Sequence, residues 1–296
     1  MSKQKVLSKR KKLSIFDVIN TGFLILLALM TVFPFLQTLL TSFASYEDVV
    51  TAKLIVIPWD FNFDSYHYIF AANVILKPFL ISTIITVGGT LFQLLMTMIG
   101  AYVLSSRTLP FRTGIMSAII FTMFFGGGLI PFVLIVQSLG MLNSYFALVL
   151  PFSINSFNLI LLRNFIRGLP YEVLEAAKID GASEMRILFQ VIIPLSIPAE
   201  MTIGLYYFVG LWNDWYWPMI FLEDAHKYPL ALALRSLIIN SSSDLEIQGG
   251  YNNLEYLDSK SKEAAVVMIS ILPMIAVFPF VQKFFVKGIV LGAVKG

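Results

Sequence analysis

The chain has 296 residues, 57% of them apolar and only 13% charged, with a mean hydropathy of +0.80 and a formal net charge of +3. Soluble domains average roughly 45 to 50% apolar and 25% charged residues, so this composition excludes a soluble globular protein and indicates an integral membrane protein. Cysteine is absent, which excludes disulfides, thiol nucleophiles and thiolate metal sites, and His67 and His226 are too far apart in sequence to form a histidine metal motif.

A helical span needs about 20 predominantly apolar residues to cross a ~30 Å hydrocarbon core. The basic segment 1–15 carries Lys3, Lys5, Lys9, Arg10, Lys11 and Lys12 ahead of Val18–Ser45, which holds no charge. That uncharged run is far longer than the roughly 7 to 15 residues of a secretory signal core. It therefore reads as a retained first span over 16–40, although Ser42-Phe43-Ala44 imitates a cleavage site. A second span is predicted over 78–106. The uncharged run Thr113–Leu162 is too long for one crossing, and Gly140, Asn143 and Ser144 mark a turn that divides it into spans 114–139 and 145–166. Within the first of these, Gly126-Gly127-Gly128 and Pro131 predict a break. That break reads either as a hinge in a transport pathway or as a static packing kink.

Residues 167–196 are a polar island, with Glu172, Glu175, Lys178, Asp180, Glu184 and Arg186 close together. Ionised groups cost several kcal/mol in hydrocarbon, so this segment is expected outside the membrane. Spans 197–221 and 264–282 and a tail over 291–296 complete the chain. Two segments remain on the opposite side. The first runs from Tyr46 to Lys77, where Phe61-Asn62-Phe63 and Asp64-Ser65-Tyr66 suggest a short interfacial structure. The second, Glu223 to Glu263, contains Asn240-Ser241-Ser242-Ser243 and Gly249-Gly250 and reads as turn-rich. Arg107, Arg112, Arg163, Arg167, Lys178, Arg186, Lys283, Lys287 and Lys295 share the side of the basic N-terminus. Lys53, Lys77, Lys227, Arg235, Lys260 and Lys262 fall on the other. The excess of cations places both termini and the polar island in the cytoplasm.

The island has an internal pattern: Glu175-Ala176-Ala177, three residues, Gly181, nine residues, then Val191-Ile192-Ile193-Pro194. Two alanines let a short helix approach a partner's groove, Glu175 offers a charge to a partner cation, and Gly181 permits a turn that a Cβ would strain. The same composition also describes a plain amphipathic helix with a glycine cap.

This spacing between two spans resembles the EAA loop of ATP-binding-cassette importer permeases, whose closing Ile-x-Leu-Pro appears here with conservative changes. More narrowly, the chain resembles maltose-type permeases for oligosaccharides. The residues that carry this likeness are Trp212-Asn213-Asp214-Trp215-Tyr216-Trp217-Pro218, Tyr228-Pro229-Leu230, Lys262-Glu263-Ala264-Ala265 and the tail from Phe284 to Gly296. The resemblance implies an all-α, polytopic type I importer fold with six transmembrane helices and both termini cytoplasmic, in the cell membrane among its lipids. It implies a non-catalytic subunit that pairs with a second permease chain and receives cargo from an extracellular sugar-binding protein. Glu175, Ala176, Ala177, Asp180, Gly181 and Pro194 would couple it to an ATPase dimer. ATP and Mg would be bound by that partner, since this chain has no phosphate-cradling glycine-lysine loop. The glycines Gly288, Gly292 and Gly296, with Lys287 and Lys295, would suit a flexible tail reaching the ATPase, or the lysines would simply anchor the last helix at lipid headgroups.

Sugars need hydrogen-bonding groups for hydroxyls and aromatic faces for their C–H patches. The candidates for the path are Gln93, Asn155, Asn158, Trp212 and Asn213, with Tyr206, Tyr207 and Trp215 nearby. Asn155 and Asn158 read equally as hydrogen-bonding glue between helices, and Trp215 and Trp217 as interfacial anchors. Two other readings stand beside this one: an importer of the same class for amino acids, peptides or ions, and a secondary transporter independent of any ATPase. The scarcity of ionisable residues in the predicted spans counts against the last. Nothing in the sequence suggests a nucleic-acid partner.

Overall fold

A computed structural model describes residues 15–45, 48, 61–71, 75–247 and 253–293. In chain order the first helices are α1 Ile15–Ser42, α2 Asp64–Ala71, α3 Leu76–Ser105, α4 Arg112–Phe124, α5 Leu129–Ser138 and α6 Phe146–Val149. They are followed by α7 Ser156–Arg167, α8 Tyr171–Ile179, α9 Glu184–Asn213, α10 Tyr216–Phe221, α11 Leu230–Ile247 and α12 Asn253–Ala293. Among the described residues no strand occurs, as the apolar pattern requires. Long apolar helices satisfy their own backbone groups where water is absent. Four segments there are long and apolar enough to cross a bilayer: α1, α3, α9 and Lys260–Phe280 of α12.

The chain divides into two units, one formed by Met1–His67 with Tyr251–Met268 and the other by Tyr68–Gly250 with Ile269–Gly296. In the first, α1 has no buried residue along its most apolar stretch, and its hydroxyls turn back onto the helix. Thr31, Thr38 and Thr41 donate to the carbonyls of Leu27, Pro34 and Gln37. At the end of α1 the Phe43 ring meets Phe61, Phe63 and Tyr66. The Tyr66 hydroxyl lies 2.8 Å from Ser42 Oγ. The Asn62 side chain accepts the Asp64 N–H at 2.6 Å and starts α2, the short structure expected there.

The second unit is built around α3. Pro78 lies in its first turn, where a missing N–H costs nothing. Met98, Ala101 and Leu104 of α3 pack with Leu159, Leu162 and Ile166 of α7 and with Ile187, Leu188, Ile192 and Ile203 of α9. A second apolar cluster joins Ile85 to Val136, Leu148, Phe221 and Leu222. Gly89 leaves room for side chains of α9 and α6 to pack against α3. A Cβ there would stand 2.8 Å from Leu211 Cδ1 and 3.2 Å from Val149 Cγ2.

Several expected spans are interrupted. Residues 114–139 form α4 and α5, bent by 113° at the break that the glycines led one to expect. The break falls at the glycines. Gly128 has φ +84°, whereas Cβ atoms at Gly126 or Gly127 would meet nothing within 4 Å, so only Gly128 is demanded by conformation. Pro131 sits in the first turn of α5 and so begins a helix instead of kinking one. The turn expected near Asn143 is present, with Gly140 and Asn143 at φ +67° and +55°. Residues 145–166, however, are not one helix: α6 ends at Val149 and α7 begins afresh at Ser156.

Conversely, α9 begins at Glu184, well before the expected 197, because a π-helical turn at Leu188–Ile192 carries it to Pro194. A wider turn spares the proline ring the clash with the carbonyl of the preceding turn. Asn240–Ser243, read as turn-forming, lie inside α11, and Gly288 and Gly292, read as a flexible tail, lie inside α12. Helical continuity from apolar neighbours outweighs their modest intrinsic preference for turns. Lys3–Lys12, Gly249–Gly250 and Gly296 lie outside the described residues.

Gly89→Val is expected to destabilise the protein by about 1 to 3 kcal/mol through overpacking between α3 and α9. Gly88→Val, at a position with nothing within 4 Å, should melt within a degree or two of wild type. Thermal unfolding of the two variants in detergent separates these outcomes.

A capped turn and a polar cavity on the same helix

The polar island folds as helix, turn and helix. α8 ends in a Schellman closure: Gly181, at φ +73°, donates to Lys178 O at 3.1 Å, and Ala182 donates to Ala177 O at 3.0 Å. Gly181 is therefore required by its backbone, as its spacing from Glu175 suggested. Ser183 Oγ then accepts the Arg186 N–H and opens α9.

Alternate sides of this turn face different surroundings. Leu174, Ala177 and Ala182 pack on the apolar cluster beneath, while Glu175, Ala176 and Asp180 are exposed. Ile179 is 80% exposed and Met185 61%. Two apolar side chains on a charged, solvent-facing turn are the signal that reading the acidic pattern alone missed. Pro194 is also exposed, ten residues and nearly three turns along α9 from Glu184, so it shapes α9 and stands apart from the turn surface.

Glu184 ties the turn to the membrane helices. Lys178 Nζ lies 3.0 Å from its Oε1, and the Tyr102 hydroxyl of α3 donates to its Oε2. The ion pair is exposed and contributes little by itself. The phenol bond matters more, because Tyr102 belongs to a different helix and fixes the turn against α3. No sequence motif marks Tyr102.

At the other end of α9 lies a cavity of about 630 Å³ lined by Gln93, Asn155, Asn158, Tyr206, Tyr207, Asn213, Asp214 and Trp217, among others. Gln93 is 2% exposed; its Nε2 donates to Phe152 O at 3.1 Å and its Oε1 has no partner among the described residues. Asn155 is an N-cap, its side-chain oxygen accepting the N–H groups of Phe157 and Asn158. Its own N–H donates to the Tyr207 hydroxyl at 3.0 Å, and that hydroxyl lies 2.6 Å from Thr97 Oγ1. Asp214 Oδ1 accepts the N–H groups of Tyr216 and Trp217 and holds α10 at the rim.

Four of the five path candidates thus meet in one cavity. Trp212 does not: it is 5% exposed, donates Nε1–H to Ser270 O at 3.0 Å, and packs against Phe79 and Phe208. Trp217 lines the cavity while stacking on Phe221, and Trp215 lies under the Arg235 guanidinium at 3.9 Å. Asp214, named in the sequence only as part of the aromatic cluster, lines the same cavity.

Residues 80–291 match the family described as the inner membrane component of binding-protein-dependent transport systems. Over 95% of its length the chain is 42% identical to the polygalacturonan/rhamnogalacturonan transport system permease protein YtcP of Bacillus subtilis, covering 99% of that protein. It is 27% identical to the arabinooligosaccharides transport system permease protein AraQ of the same organism, covering 96% of this chain and 97% of the relative. A crystal structure of a bacterial ABC transporter involved in the import of the acidic polysaccharide alginate superposes with a TM-score of 0.82 at 30% identity, covering 92% of this chain and 96% of that one. An all-helical membrane fold, a shared architecture and sequence similarity along nearly the whole chain lead to one conclusion: this protein belongs to the family of inner membrane components of binding-protein-dependent transport systems.

Proposed function

We propose that the chain is a non-catalytic permease subunit of an ATP-driven importer that moves an oligosaccharide into the cell by alternating access. It works with a second permease chain, an extracellular sugar-binding protein and a separate ATPase dimer that binds ATP and Mg. The chain crosses the membrane six times with both termini in the cytoplasm, so that the Glu175–Gly181 turn faces the ATPase. The observation that carries this reading is the turn itself. Its backbone is locked by Gly181, it exposes Ile179 beside Glu175 and Ala176, and it is held to α3 through Tyr102 and Glu184. Such a surface offers an apolar plug ringed by carboxylates to a groove in a partner.

The oligosaccharide assignment draws on the relatives, named for polygalacturonan, rhamnogalacturonan and arabinooligosaccharide transport, and on the alginate importer. The cavity fits the same cargo. Gln93, Asn155, Asn158 and Asn213 present amides to hydroxyls, and Tyr206 and Trp217 present rings.

When ATP binding closes the ATPase dimer, the turn moves with it. α9 is continuous from Glu184 beside the turn to Asn213 at the cavity, so a displacement at one end reaches the other through one helix. At 1.5 Å per residue that helix is about 45 Å long, enough to carry motion across a bilayer.

In vesicles containing the complete transporter and its binding protein, Glu175→Ala combined with Gly181→Trp should reduce substrate-stimulated ATP hydrolysis to the unstimulated rate. Stimulation at the wild-type level would refute the coupling role. Tyr102→Phe keeps the ring and deletes one bond of about 1 kcal/mol, so stimulation should fall roughly fivefold. Lys178→Ala, which removes only the exposed partner of Glu184, should change it less than twofold. For the cavity, Gln93→Leu or Asn158→Leu should raise the half-saturating oligosaccharide concentration for uptake about tenfold. Trp212→Phe should leave that concentration unchanged, and uptake titrations in the same vesicles distinguish the two.

A further inference from the structure

Four arginines lie where α3 ends, α4 begins and α7 ends, near the Glu175 turn, and the coupling reading uses none of them. Arg163 is the innermost. It is 8% exposed, and its guanidinium donates from Nε to Leu104 O at 3.1 Å and from Nη1 to Asn164 Oδ1 at 3.2 Å. Arg112 and Arg167 lie close enough for their charges to repel it. Arg107 stands over the Tyr171 ring, 4.7 Å from its centre.

Among the described residues, none of the four has a carboxylate partner; the ion pair found there joins Lys178 to Glu184. A buried guanidinium bonded only to neutral oxygens, with two like charges nearby, is costly unless an anion arrives from outside.

The surroundings identify the kind of anion. Phe111, between Pro110 and Arg112, is 89% exposed and held at φ +53°, a conformation unfavourable for a bulky residue. It leads into α4, whose residues from Thr113 to Phe124 carry no charge and are largely exposed. An exposed phenylalanine and an apolar helix belong among acyl chains, and arginines directly beside them lie at headgroup depth. A solvent-borne acidic protein would meet the charges without using the aromatic residue.

We infer that Arg107, Arg112, Arg163 and Arg167 form a binding site for the phosphate of an anionic phospholipid in the leaflet next to the coupling turn, with Phe111 inserted among the acyl chains. The lipid supplies the countercharge that Arg163 lacks and braces the ends of α3 and α7, on which the turn rests. This site is independent of the cargo.

The test uses the full-length chain, purified in a neutral detergent and titrated with phosphatidylglycerol or phosphatidylcholine, with bound lipid counted by native mass spectrometry. Wild type should retain phosphatidylglycerol in preference to phosphatidylcholine. Arg112→Gln with Arg167→Gln, which spares the buried Arg163, should weaken phosphatidylglycerol binding roughly 10- to 30-fold, since each surface cation contributes about one kcal/mol. Arg235→Gln, at a cation outside the cluster, should leave it unchanged. Equal retention of the two lipids, or unchanged binding in the double variant, overturns the proposal. Inorganic phosphate displacing the lipid at equal concentration would reassign the site to a free anion. If the double variant keeps its lipid binding but, in the assembled transporter, no longer holds the ATPase subunits, the cluster is a protein interface and the lipid site is disproved.

Discussion

The second unit depends on a hydroxyl shared by three pieces of chain. Tyr207 on α9 meets Thr97 on α3, and the same phenol oxygen accepts the N–H of Asn155, where the segment between α6 and α7 leaves helical geometry. In hydrocarbon an unpaired backbone N–H costs several kcal/mol. The break between α6 and α7 is tolerable because a side chain from another helix meets the freed group and the segment lines a polar cavity. Asn155 supplies the remaining acceptor by capping α7. The irregular stretch that results forms a wall of the cavity. The site exists because one helix is broken and its neighbours satisfy the break.

α9 connects this cavity to the turn below. Its first residues are the capped end of the polar island, its middle is packed into the apolar cluster through Ile187, Leu188, Ile192 and Ile203, and its last residue lies in the cavity lining. The π turn at Leu188–Ile192 and the prolines Pro194 and Pro198 lie just inside the turn. Deformation of α9 is easiest there, where the hydrogen-bond ladder is already irregular. Glu200, further along, is 7% exposed, and its Oε1 has no partner. It is one of the few ionisable residues within the predicted spans, and its burial is what the structure adds.

Elements set by local chemistry were legible in advance. Long uncharged runs announce α1 and α3 because hydrocarbon admits few alternatives to a continuous apolar helix. The break at the triple glycine was legible for the same reason, though which glycine is needed was not, since only Gly128 takes a positive φ. The Gly181 turn was readable because a left-handed residue after a short helix nearly demands glycine. Asn240–Ser243 misled, since the preference of serine and asparagine for turns is weaker than the helical context around them.

The sequence by itself determined the membrane class, the apolar helices and the capped polar turn, because each depends on residues near one another in the chain. Tertiary structure decided which polar residues share a cavity. Asn213 faces it and its neighbour Trp212 turns away to Ser270, a difference of one position on a helix that no spacing rule resolves. It also decided that Tyr102 grips Glu184 and that, among the described residues, Arg163 is buried without a carboxylate. Each of these is a meeting of segments far apart in sequence, set by the packing of α3 against α7 and α9.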